Sequence, residues 1–67
     1  MSVSYKKLWK LLIDNNMKKK DLCRVAGVSH ASIAKLGKNE NVTTAVLVKI
    51  CKALNCDIGD IMEIVSD

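Results

Sequence analysis

The chain has 67 residues, 49% hydrophobic and 27% charged, the balance of a folded globular protein and not of a disordered one. That length allows one domain, residues 1–67, whose core buries about 60% of the unfolded surface. No apolar run approaches the ~20 residues of a membrane span, and Lys6, Lys7 and Lys10 interrupt the N-terminus where a secretory signal would need continuous apolar residues. A cytoplasmic address is the resulting expectation.

The net charge of +4 is unevenly spread. Residues 1–38 hold nine Lys or Arg against Asp14 and Asp21, and residues 39–67 hold Lys49 and Lys52 against Glu40, Asp57, Asp60, Glu63 and Asp67. A basic front half suits a polyanionic partner, and an acidic back half would be held away from it. Cys23, Cys51 and Cys56 are odd in number and sit within apolar patterns, so a disulfide framework is not expected and a reducing compartment fits. With His30 they make no metal-ligand spacing, and they read as buried thiols acting as small hydrophobes.

In chain order, Tyr5, Leu8, Trp9 and Leu12, widened by Leu11, predict a helix from about Ser4 to Asn15. Asn15 and Asn16, which tolerate left-handed backbone, can end it. A short second helix is expected from Lys18 to Ala26, with Leu22, Val25 and Ala26 inward and Cys23 beside them. Its start is poorly signalled, because Lys18 is a weak N-cap, whereas Gly27 is a good stop. Ser29 caps a third helix reaching about Lys38, whose apolar positions are Ile33 and Leu36. After the polar Asn39-Glu40-Asn41, Thr43 caps a fourth helix to about Leu54, carrying Val46, Leu47, Ile50, Cys51 and Leu54. Asp57 and Asp60 resemble a capping box for a last short helix bearing Ile58, Ile61, Met62 and Val65. No stretch alternates long enough to predict a strand, so the expected fold class is all-α, with about five helices. Met17 and Met62 read as core fillers.

The informative segment is Lys19–Lys38. A short helix meets Gly27 at a tight turn, Val28 fills the corner, and Ile33 and Leu36 hold the next helix while its other face stays free. Two helices joined this way can lay the second in a major groove. The stretch KKKDLCRVAGVSHASIAKLGKN resembles the helix-turn-helix of the Cro and phage-repressor family, the XRE-type or lambda-repressor-like domains. TTAVLVKICKALNCDIGDIMEIV resembles that family's fourth and fifth helices, so the likeness runs from about Tyr5 to Val65.

The resemblance implies a compact five-helix domain that binds double-stranded DNA as a transcriptional regulator, often as a homodimer on a palindromic operator. It puts His30, Ala31, Ser32 and Lys35 at base-facing positions, and Lys19 where the family commonly has a phosphate-contacting glutamine. Lys18 stands in place of the usual Ser or Thr cap, which predicts less ordered amides at that helix start. From the residues themselves, Lys35 can donate to guanine, His30 can donate or accept, Ser32 can bond several bases and Ala31 can pack on a thymine methyl. Lys18, Lys19, Lys20, Lys38, Asn39 and Asn41 are the expected phosphate contacts, which set affinity and orientation.

The last segment holds more apolar side chains than a short helix can bury at home. Ile58, Ile61, Met62, Ile64 and Val65 are therefore the expected homodimer interface. The function expected is that of a sequence-specific repressor. An alternative is a protein-interaction module, such as an antitoxin-like partner that keeps the fold. One histidine, no paired carboxylates in an apolar setting and no phosphate-binding glycine loop argue against an enzyme; Cys23 is read as core and His30 as outward, which separates that possible pair. No cofactor, metal, small-molecule ligand or membrane partner is expected.

Overall fold

The stripe from Tyr5 to Leu12 forms helix α1 (Lys6–Asp14) in a computed structural model that describes residues 1–66, Asp67 lying outside them. Leu8 and Leu12 are buried, with Trp9 and Leu11 packed half-buried beside them. Asn16 takes left-handed backbone at φ 55° just after the helix. Helix α2 (Lys19–Ala26), helix α3 (His30–Gly37) and helix α4 (Thr44–Leu54) follow. Ser29 Oγ accepts the Ser32 amide at 3.1 Å to start α3, and Thr43 Oγ1 accepts the Val46 amide at 3.3 Å to start α4. Asn39 and Asn55, at φ 56° and 52°, take left-handed backbone beyond α3 and α4, a conformation asparagine tolerates better than most residues.

The core gathers Tyr5, Leu8, Leu12, Leu22, Ile33, Leu36, Leu47, Ile50 and Ile61 from every helix and from the C-terminal segment. Helix α2 packs on both α4 and α3. Val25, expected inward, is exposed instead: the buried stripe of α2 narrows to Leu22, with Cys23 and Ala26 half-buried at its edge. Tyr5 links the start of α1 to the loop after α3. Its hydroxyl donates to the Glu40 carbonyl at 3.0 Å, and its backbone amide donates to Asn39 Oδ1 at 3.1 Å.

The expected fifth helix is not formed. Asp57 and Asp60 do make a reciprocal cap, Asp57 Oδ1 accepting the Ile58 amide at 2.7 Å and Asp60 Oδ2 accepting the Asp57 amide at 2.9 Å. They cap a single 3₁₀ turn (Ile58–Asp60), after which the chain extends into strand β2 (Glu63–Val65). This pairs antiparallel with strand β1 (Ser2–Ser4), Val3 standing opposite Ile64. Gly59, Ile64 and Val65 disfavour helix, the last two favouring strand, and the extended segment pairs its backbone with β1. Lys7 secures the result from α1, donating to the Gly59 carbonyl at 3.1 Å and lying 3.6 Å from the Glu63 carboxylate. The fold among the described residues is therefore four α-helices with a two-stranded sheet.

Candidate nucleic-acid interface

The site is built around the turn between α2 and α3. Cys23 O accepts the Gly27 amide at 3.0 Å and the Val28 amide at 3.3 Å, which reverses the chain, and Gly27 sits at φ 68°, ψ 36°. A side chain in this left-handed region costs about 1–2 kcal/mol. A methyl group at Gly27 would meet no atom within 4 Å, so the cost is purely conformational. Gly27→Ala is expected to destabilise the domain by about 1–2 kcal/mol in urea unfolding. An unchanged midpoint would show that the turn does not need a glycine.

Beyond the turn, Val28 packs half-buried against the core, and Ile33 and Leu36 anchor α3. His30, Ala31 and Lys35 are exposed on its other sides, and Ser32 is half-buried. The Ser32 hydroxyl accepts from Ser29 Oγ at 3.1 Å and keeps its own hydrogen to give. The four expected base-facing residues thus share one helix, three of them exposed.

The expected phosphate-contact residues are exposed as well, with two differences of detail. Asn39 uses its amide oxygen on the Tyr5 backbone, so only its nitrogen end is left for another partner. Lys19 does not extend freely into solvent. Its ammonium lies over the Trp9 ring, 4.6 Å from the centroid, beside Gly37 at the end of α3. Three helices meet at this one charge, and the ring contact restricts an otherwise mobile side chain.

The start of α2 is better held than Lys18 alone suggests. Asp21 Oδ2 accepts the Lys18 amide at 2.9 Å, while Arg24 lies 3.6 Å from Asp21 Oδ1. The backbone bond, with Arg24 and Lys20 nearby, holds the Asp21 carboxyl below its ordinary value. This support is complete above the ordinary carboxylate range and fades as acid protonates Asp21.

The cysteines are free and half-buried, not wholly in the core. Burial, with Cys51 beside it, pushes the Cys56 thiol up to about 11, so it stays protonated and inert at neutral pH. No cluster of three or more His, Cys, Asp or Glu suited to a metal ion occurs among the described residues. Cys23 and His30, which the sequence reading kept apart, do meet: Sγ and Nδ1 are 3.6 Å apart. The signal was their position on either side of a tight two-helix turn. No helix of the described residues is long and apolar enough to cross a membrane.

The C-terminal residues expected to form an interface divide. Ile61 is 0% exposed and closes the core, so it offers no surface to a second copy. Met62 and Val65 are half-buried, while Ile58 and Ile64 stand exposed, Ile64 at 64%.

Two short helices joined through a left-handed glycine, the second anchored by two apolar residues with its polar side outward, define a helix-turn-helix domain. Residues 7–67 match the Cro/C1-type HTH DNA-binding domain, and the chain belongs to that family. No curated protein matches it. Among solved structures, the crystal structure of the transcriptional regulator VanUg (Form II) is similar, with a TM-score of 0.93 and 59% sequence identity over 98% of this chain and 88% of that one.

Proposed function

We propose that this protein is a sequence-specific double-stranded DNA-binding transcriptional regulator, acting as a repressor in the form of a homodimer on a palindromic operator. One observation carries the reading. Helix α3 is held by Ile33 and Leu36 while His30, Ala31 and Lys35 are exposed, the arrangement a helix needs to enter a major groove. The likeness to VanUg, a transcriptional regulator, supports the same assignment. In this reading His30, Ala31, Ser32 and Lys35 face bases. Lys18, Lys19, Lys20, Lys38, Asn39 and Asn41 approach phosphates, with Lys19 preset over Trp9. The protein works without catalysis, cofactor or metal.

Selection of bound sequences from a random duplex pool tests this reading. The expected result is an enriched motif with two-fold symmetry and half-sites about one helical turn apart. Binding with no enriched motif would reduce the protein to a non-specific DNA binder. Failure to retain any duplex at low salt would favour a protein-interaction module that keeps the fold.

The homodimer is assigned to the C-terminal segment, through exposed Ile58 and Ile64 and the neighbouring Met62 and Val65. Strand β2 pairs with β1 along one side, and its other edge has no strand beside it among the described residues, a natural place for a second copy to add. Ile64→Asp is expected to give monomers in sedimentation and weaken operator binding while leaving the helices folded. A dimeric Ile64→Asp protein would move the interface elsewhere.

A further inference from the structure

His30 is the first residue of α3 and is exposed, and its Nδ1 meets the Cys23 thiol of α2 at 3.6 Å. An exposed histidine at a helix start would ordinarily sample several rotamers and both neutral tautomers. Here one ring edge is occupied. Two arrangements fit the distance: the thiol donates to a bare Nδ1, which puts the ring proton on Nε2, or Nδ1–H donates to sulfur, which leaves Nε2 bare. Sulfur is a weak acceptor and an imidazole nitrogen a good one, so the first arrangement prevails.

We infer that Cys23 is a positioning residue for His30, its thiol fixing the imidazole so that Nε2–H is presented as a donor at the start of α3 and selects a base-pair acceptor in the major groove. The inference rests on the reading of α3 as the groove-entering helix and adds a direction to it. A fixed donor suits guanine N7 and O6, adenine N7 or thymine O4, and is mismatched to the cytosine amino group. The pair lines neither of two surface grooves, one lined by Leu47, Val48 and Ile58 and the other by Lys10, Leu11 and Leu54. His30 is exposed, which suits a contact with another macromolecule.

The test uses the fact that the chain has a single histidine, whose ring-nitrogen signals are therefore unambiguous. In proton–nitrogen correlation spectra of isotope-labelled protein with neutral imidazole, the wild type is expected to show one tautomer, protonated at Nε2. Cys23→Ala should move both nitrogen shifts toward the mixed averages of a free imidazole, and Cys23→Ser, whose hydroxyl also donates, should restore them. In duplex selection, Cys23→Ala and His30→Ala should lose preference at the same base pair. The loss for Cys23→Ala should be roughly three- to tenfold, a fraction of a whole specific contact. Cys23→Ser should retain the preference, and all variants should keep the position read by Lys35. A Cys23→Ala protein with unchanged nitrogen shifts or an unchanged base preference overturns the inference and leaves the DNA reading intact. A wild-type protein that selects no sequence overturns both.

Discussion

Leu22→Ala is expected to leave the domain largely unfolded at modest denaturant concentration. Leu22 is fully buried on α2, the helix that packs on both α3 and α4. Truncating such a leucine removes its transfer free energy and leaves a cavity that the neighbours fill only in part, at a cost of about 2–5 kcal/mol. A domain of this size has a total stability of about 3–10 kcal/mol, so one cavity removes a large share of it. Three residues on, Val25 is exposed, and Val25→Ala should change stability by no more than about 0.5 kcal/mol. Urea unfolding followed by helical circular dichroism compares the two. Equal midpoints for Leu22→Ala and Val25→Ala would contradict the packing of α2 described above.

That contrast also marks how far the sequence could be read. Leu22, Val25 and Ala26 all fall on the apolar side of an eight-residue helix. Nothing in their spacing shows that the neighbouring elements cover only the arc around Leu22. Helix α3 was legible because its two large apolar residues, Ile33 and Leu36, stand three apart among small and polar ones, leaving one way to bury it. The segment after Asn55 was not. Ile58, Ile61, Met62 and Val65 satisfy helical spacing as well as they satisfy a turn followed by a strand. The deciding partner, Val3 in a strand of three residues, lies at the far end of the chain, where local periodicity carries no information. Periodicity also hid the Lys19–Trp9 contact between α1 and α2 and the Cys23–His30 contact across the turn. The sequence supplied the right residue types, but their meeting depends on how α1, α2 and α3 cross.

Within the proposed interface, Lys35 and Lys19 are expected to fail in opposite ways. Lys35 is exposed on α3, where an ammonium can donate to guanine N7 and O6. Lys35→Ala should remove about 1–3 kcal/mol of discrimination at one base pair in each half-site while leaving binding to random duplex nearly unchanged. Lys19 sits on the Trp9 ring, so its charge is partly ordered before any phosphate arrives. That ordering lowers the entropy lost on contact. Lys19→Ala should therefore weaken specific and random duplexes alike, and should flatten the salt dependence by about one unit of slope for each half-site. Titrations of both variants against operator and random duplex over a range of salt separate these outcomes. An equal loss on both duplexes for Lys35→Ala would remove that residue from base reading. An unaltered salt slope for Lys19→Ala would mean that its ammonium serves the packing of α1 against α2 and α3 and never reaches the backbone of DNA.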